Sequence, residues 1–257
     1  MLFDTHAHLD SPKFDSDREE VIARAREAGV ETIVNIGFNR ETIPTTMALA
    51  ENYPFIYAAV GWHPTDAIDM KFEDDLAWIE RLCAHPKVVA IGEIGLDYYW
   101  DTSPKDVQHA VFREQIRLAK RLRKPIVIHN RDAHEDVVRL LREEGASEVG
   151  GIMHCFSGSW ETAKKCLDMN FYISFGGPVT FKNARVPKEV LANVPDDRFL
   201  IETDAPYLTP HPYRGKRNES AYVRFVAEAA AEIKGKSVEE IANLTTENGL
   251  ACFRLPR

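Results

Sequence analysis

Cysteine is scarce in this sequence and unpatterned. The 4 cysteines, Cys83, Cys155, Cys166 and Cys252, fall in no CxxC or zinc-finger spacing, which argues against a disulfide framework or a zinc knuckle and for reduced, buried thiols. Long apolar runs are missing too. Uncharged stretches such as NFYISFGGPVTF stop far short of the roughly 20 residues that span a bilayer. No basic region followed by an apolar one opens the chain, so a cytoplasmic protein without membrane contact is expected. Positive charge is in deficit: 32 Lys and Arg against 40 Asp and Glu give a net charge of −8. That excludes a broad cationic coat for nucleic acid but not a few local cations around a phosphate in a cleft. Proline- or serine-rich linkers, low-complexity tracts and internal repeats are absent, and no obligate protein partner is evident.

What is present is a regular alternation of strands and helices. Short apolar runs predict strands near 2–8, 30–36, 55–61, 88–94, 125–129, 149–155, 171–176 and 198–204, with amphipathic or capped segments between most of them. Ser16 and Glu19 predict a capping box, Val21, Ile22 and Ala25 an apolar stripe, and Gly29 the end of that helix. Ser237 and Glu240 predict a second capping box, opening a terminal helix whose Ile241, Leu244 and Leu250 would cover the outside or floor of the fold. Eight βα units in one chain of 257 residues predict a (β/α)₈ TIM barrel with a C-terminal capping helix, a single domain over residues 1–257. A doubly wound sheet is the alternative. It lacks its signature, because His6 and His8 stand at the end of the first strand where a GxGxxG turn would be.

The chemistry-bearing residues recur at one kind of place. His6 and His8 in LFDTHAHLD, Glu93 in AIGEIGLD, His129 in PIVIHN, His154 in GIMHC and Asp204 in LIETDAP each follow an apolar run. One strand histidine taken singly is more often a hydrogen-bonded core residue than a ligand. The set differs, because His6 and His8 share a strand face and buried ionisable groups at strand ends need a partner that a metal would supply to all of them. In a barrel the carboxyl ends of the strands are where chemistry sits. The pattern implies a metallohydrolase. Cys155 should point away from a metal held by its neighbour His154, which makes a cysteine nucleophile a poor expectation.

The segments DTHAHLD, GWHP, IGEIGLDYY, PIVIHNRDA, HCFSGS, ETDAPYL and PYRGKRNES stand in an order and spacing that resembles the TatD-family metal-dependent deoxyribonucleases, a branch of the amidohydrolase-like barrels. The likeness runs nearly the full length. It departs at Ser220, where the family commonly has proline, which leaves the metal site untouched but is expected to loosen that loop. The resemblance implies two divalent ions (Mg, Mn or Zn), with His6, His8 and Asp204 on one, His129 and His154 on the other, and Glu93 bridging them. A carboxylate has two oxygens to share, whereas an imidazole offers one lone pair. Imidazole nitrogens suit zinc or manganese better than magnesium, although the family's nuclease activity is generally associated with magnesium.

The implied reaction is hydrolysis of a DNA phosphodiester, at ends or in single strands, as an exonuclease, with Asp204 as candidate general base. Glu202, two residues before Asp204, is an orienter of a ligand, an additional ligand or a structural carboxylate. His63 in GWHP is expected to meet substrate phosphate, a role the resemblance also implies. Arg131 either binds phosphate or braces a carboxylate such as Glu93 or Glu202, and Arg214, Lys216 and Arg217 are expected to supply a phosphate tract. Tyr98, Tyr99 and Trp100 could stack unpaired bases or simply pack loops. The basic run 117–124 ends a helix and is assigned to a solvated face at the barrel bottom. Two other functions remain: a same-fold metallohydrolase of another ester, lactone, amide or aminoacyl-tRNA bond, and a non-catalytic metal-stabilised binding protein, against which the complete ligand set argues.

Overall fold

The computed structural model describes residues 1–256. Eight strands form one parallel sheet in sequence order: β1 (Leu2–Ala7), β2 (Val30–Gly37), β3 (Ile56–Val60), β4 (Val88–Asp97), β5 (Ile126–Arg131), β6 (Gly151–Met153), β7 (Phe171–Phe175) and β8 (Phe199–Ile201). Helices α1 (Arg18–Glu27), α2 (Thr42–Asn52), α3 (Phe72–Leu82), α4 (Lys105–Leu122), α5 (His134–Glu143), α6 (Trp160–Leu167), α7 (Arg185–Asn193) and α8 (Val223–Lys234) follow them in turn. A last helix, α9 (Val238–Phe253), completes the secondary structure of the described residues. This is a (β/α)₈ barrel. No helix among the described residues is long and apolar enough to cross a membrane.

Two apolar layers hold it. The larger lies between strands and helices, where α4 buries Val111, Phe112, Ile116 and Ala119 at the spacing of one helical face. The smaller fills the barrel floor with Phe3, Val34, Ile36, Val89, Val127, Ile152 and Leu200, closed by Cys252 and Phe253 of α9. The Phe3 and Phe253 rings lie 5.8 Å apart. A Cβ on Gly249 would meet the Phe3 ring at 2.6 Å, so only glycine lets α9 approach this closely. The capping box of α9 forms as its sequence predicts, Ser237 and Glu240 each bonding the other's backbone N–H.

Two local expectations need correction. Helix α1 begins at Arg18 with Asp17, not Ser16, at its N-cap and no side-chain cap bond; the Asp17 carboxylate is instead engaged by Arg217 and Arg24. The loop containing Ser220 is also not loose. Ser220 is fully buried, Asn218 Nδ2 donates to the carbonyls of Thr203 and Tyr207, and Arg24 holds the Glu219 carboxylate from 2.7 Å.

The sheet closes where its first and last strands meet. Beyond β8, Ala205 bridges to Ala7, Asp204 N–H donates to the His6 carbonyl (2.9 Å) and His8 N–H to the Ala205 carbonyl (2.7 Å). Beneath them the buried Asp4 carboxylate accepts from Thr203 N–H (2.8 Å) and Thr203 Oγ1–H (2.6 Å). The register of β1 against β2 slips between Asp4 and Ala7, which changes the phase of alternation. Phe3 at the floor and His6 and His8 at the mouth therefore all face inward.

Burial pushes the Asp4 carboxyl up to about 7 from its ordinary 3.8, outweighing the hydrogen bonds that favour its charged form. A raised pKa of this kind contributes stability below 3.8 that is lost as pH rises through about 7. Asp4→Ala should destabilise the barrel by about 1–3 kcal/mol by stranding the Thr203 donors. Asp4→Asn, which does not titrate, should gain on the parent protein across that pH window. Urea melts at a series of pH values check both; a constant gap between Asp4→Asn and parent would remove Asp4 from the linkage.

Candidate metal centre and active site

The cluster forms at the carboxyl end of the barrel, around a cavity of about 600 Å³ lined by His8, Glu93, His129, His154 and Asp204 among others. Glu93 is 4 % exposed and divides its two oxygens. Oε1 lies 2.8 Å from His129 Nδ1 and 3.0 Å from His154 Nε2, while Oε2 lies 3.5 Å from His6 Nε2 and 3.9 Å from His8 Nε2. Asp204 Oδ1 faces the same pair, 3.6 Å from His6 Nε2 and 3.4 Å from His8 Nε2. The sequence expectation of six grouped residues thus corresponds to a single constellation, with Glu93 at its centre.

The backbone explains how residues so far apart in sequence converge. Gly95, at φ +147°, lets β4 run against β5, since a Cβ there would lie 1.9 Å from the His129 carbonyl oxygen. This places Glu93 beside His129. Asp204 adopts φ 55°, a left-handed conformation that non-glycine residues rarely take, immediately where the seam hydrogen bonds fix its backbone.

Outer carboxylates hold the imidazoles. Glu202, fully buried, accepts from His154 Nδ1–H (2.9 Å), from Cys155 N–H (2.9 Å) and from Ser174 Oγ–H (2.5 Å). Of the roles open to it from sequence, this geometry suits orientation of His154. Asp97 does the same for His129, with Oδ2 2.8 Å from Nε2; sequence reasoning missed this residue, although it ends the quoted AIGEIGLD. Its signal was a carboxylate four residues, or two strand-face repeats, beyond Glu93.

The charges are mutually dependent. Burial alone would raise Glu93, but His154 and His6, with hydrogen bonds from His129 and His154, hold its carboxyl well below the usual range. Burial opposes protonation of His154, yet Glu202 and Glu93 hold it well above an ordinary histidine. Asp204 is likewise raised by burial but brought below its ordinary value by His8, His154 and His6. Two carboxylates lie among imidazole nitrogens, and the Nε2 atoms of His6 and His8 face each other at 3.3 Å. Two N–H groups cannot donate to one another, so at least one of them presents a lone pair into the cluster. Nitrogen and carboxylate donors converging within 4.8 Å, as in His6, His8 and Glu93, fit a divalent transition metal.

His63 is built differently. Its Nδ1 accepts from Thr65 N–H (3.2 Å) and lies 2.6 Å from Thr65 Oγ1. Nδ1 therefore carries the lone pair, and the proton of the neutral ring sits on Nε2, 3.7 Å from Glu93 Oε1. Burial and neighbouring His129 push the ring down to about 3, so it is neutral. Although His63, Glu93 and His129 could group around an ion, a nitrogen bearing a proton donates and does not ligate.

Of the other cationic and aromatic candidates, Arg131 and Trp100 line the cavity and Tyr98, Tyr99, Arg214, Lys216 and Arg217 do not. Arg131 braces neither Glu93 nor Glu202; its guanidinium stacks 3.8 Å over the Tyr99 ring. Arg214 lies over Phe181 and Lys216 over Tyr213, Arg217 is paired with Asp17, and none of the three lines the cavity. Tyr98 hydrogen-bonds through its hydroxyl to His109 and Asp136, has Lys105 over its ring and does not line the cavity. The basic run is a solvated face away from the cavity, as expected: Arg117, Arg121 and Arg123 are exposed, Arg117 pairs with Glu144 and Arg121 with Glu80, and Lys124 donates to the Val88 carbonyl. All four cysteines are free, three of them buried. Strand β6 ends at Met153, so alternation does not govern Cys155. Burial, then Glu202, Asp204 and Glu93, push its thiol well above the ordinary value, which leaves it protonated and a poor nucleophile.

A family model described as TatD related DNase matches residues 3–254. The chain belongs to the TatD family. It is 65% identical to the Bacillus subtilis metal-dependent hydrolase YabD, over 99% of this chain and 100% of that protein. It is 40% identical to YcfH of Escherichia coli K12, also named a metal-dependent hydrolase, over 99% and 96%. The crystal structure of the E. coli TatD homologue YjjV superposes with a TM-score of 0.92 at 32% identity, covering 99% of this chain and 98% of that one. A lactonase of Deinococcus radiodurans, at 15% identity and a TM-score of 0.67 over 98% and 95%, shares the barrel. The protein is a metal-dependent hydrolase of the TatD family.

Glu93→Ala should lower total bound metal and nearly abolish turnover while leaving the circular dichroism of the barrel intact. His63→Ala should keep the parent's metal stoichiometry, because its ring offers a proton and no lone pair to the cluster. Elemental analysis after dialysis decides both; full metal content in Glu93→Ala, or loss of metal in His63→Ala, would reverse the assignments.

Proposed function

We propose that the protein is a divalent-metal-dependent deoxyribonuclease, an exonuclease that hydrolyses DNA phosphodiester bonds from single-stranded or frayed ends. The observation that carries this is the division of Glu93 between two sets of imidazoles, with an ionised Asp204 on one side and a neutral N–H donor, His63, at the edge. Such a site can receive an anionic ester, activate water beside it and neutralise the charge that develops. The family description supports a nucleic-acid substrate.

His6, His8 and Asp204 would hold one divalent ion, His129 and His154 a second, and Glu93 would lie between them. Bound there, the ions supply an acidified water and positive charge for the phosphoryl oxygens. The remaining work belongs to the chain. Asp204, kept in its charged form by His8, His154 and His6 and with its side chain 14% exposed to the cavity, takes the proton from the attacking water. His63 Nε2–H donates to a non-bridging phosphoryl oxygen, its ring fixed in that tautomer by Thr65. Glu202 and Asp97 keep His154 and His129 oriented and carry no proton away.

Asp204→Asn keeps an oxygen but loses the basicity, so hydrolysis should fall by roughly 10²-fold or more while binding of a short single-stranded DNA persists. The measurement is turnover of metal-defined parent and variant on end-labelled single-stranded DNA, RNA and a simple carboxylic ester in parallel. Parent-rate cleavage by Asp204→Asn places the base elsewhere. Turnover of the ester with DNA untouched overturns the nuclease reading and leaves the metal-dependent hydrolase.

A further inference from the structure

Arg131 is the one arginine among the residues lining the cavity. Arg24, Arg113, Arg117 and Arg217 are each tied to carboxylates. Arg131 ends β5 on the cavity wall, yet among the described residues its guanidinium makes neither an ion pair nor a hydrogen bond to another side chain or carbonyl. Aromatic rings hold it instead, with its Cζ 3.8 Å from the Tyr99 ring centroid and 5.7 Å from that of Trp100. Stacking fixes the plane of a guanidinium and leaves its N–H edges open, the state in which arginine takes an anion bidentately.

The rings are exposed, Tyr99 by 55% and Trp100 by 53%, and they meet edge to face at 5.0 Å. They are nevertheless placed with care. Asp97 Oδ1 accepts from the backbone N–H of both Tyr99 (3.0 Å) and Trp100 (2.9 Å), while Asp97 Oδ2 faces His129. Packing does not account for a half-exposed Trp100 pinned at the rim of an active-site cavity. Across the mouth, from the far side of the barrel, Tyr207 contributes a further exposed ring.

We infer that Arg131, with Tyr99 and Trp100, forms a subsite for the nucleotide adjoining the bond that is cut: Arg131 takes the neighbouring phosphate and Trp100 the unpaired base. The inference rests on the phosphodiesterase reading above and deepens it, because it makes the site a reader of polymer and not of an isolated ester. Base–aromatic stacking tolerates any sequence but requires an unpaired base, so the subsite selects single-stranded ends without selecting their sequence. A guanidinium fork cannot be replaced by an ammonium there, which can neither stack flat on Tyr99 nor bind bidentately.

The test compares a short single-stranded deoxyoligonucleotide with methyl p-nitrophenyl phosphate, a diester that has no second phosphate and no base. Arg131→Ala and Trp100→Ala should each lower kcat/KM on the oligonucleotide by roughly 5- to 150-fold, and by far less on the small diester, with metal content unchanged. Arg131→Lys should not restore the Arg131→Ala loss. An abasic residue beside the cleaved bond should erase the effect of Trp100→Ala and leave that of Arg131→Ala. Equal losses on both substrates, or no loss on the oligonucleotide, would overturn the subsite while phosphodiester turnover by the parent still stands. If the parent cleaves neither substrate, the phosphodiesterase reading fails. Anisotropy of the labelled oligonucleotide then decides the subsite by itself, because equal binding by parent and variants rejects it and loss in both variants upholds it.

Discussion

Closure of the barrel between its first and last strands is the constraint on which the remainder depends. The seam is short, a single bridge at Ala7 and Ala205 flanked by two backbone hydrogen bonds, and its anchor is a buried carboxylate, Asp4, gripping Thr203. Thr203 turned outward to Asp4 leaves its neighbours Glu202 and Asp204 to turn inward. One orients His154 and the other stands beside His8. A β8 displaced at this seam would separate the carboxylates of the last strand from the imidazoles of the first.

Within that frame the cluster is a balance of burial against mutual attraction. Desolvation opposes every charge in it, and each charge persists because an opposite or hydrogen-bonding partner lies within a few ångströms. The same logic separates His63 from His129 and His154, whose carboxylate partners raise them. Its partners are a backbone N–H and a hydroxyl rather than carboxylates, so it stays neutral and presents a proton. Five histidines around one cavity thus carry different roles because of the atoms behind them.

The barrel was legible in sequence because parallel strands buried on both faces read as apolar runs, and the helices between them carry their own stripes and stops. The grouping of His6, His8, Glu93, His129, His154 and Asp204 was legible because polar residues ending such runs share one rim. What escaped depends on three-dimensional pairing. Asp97 looked like any residue opening a loop until His129 was seen against it. Ser16 with Glu19 has the form of a capping box, yet the helix starts one residue later with Asp17 at the N-cap, whose carboxylate Arg217 draws away from the helix N–H groups. Arg214 and Lys216 formed a basic cluster on paper, yet aromatic rings on their own side of the barrel hold them. Of the two roles open to Arg131 in sequence, bracing a carboxylate falls away because Glu93 and Glu202 already have histidine partners.

The interval between His6 and Asp204 spans most of the chain, and this sets an order of events during synthesis. A ribosome releases the two histidines early and must add seven more strands before Asp204 can join them. Until then His6 and His8 lack the seam that aligns them, and contacts of such long sequence separation form late in folding. Hydrolytic competence is therefore withheld from every chain that ends before Asp204: the last strand to emerge is the one that makes the first strand's histidines useful.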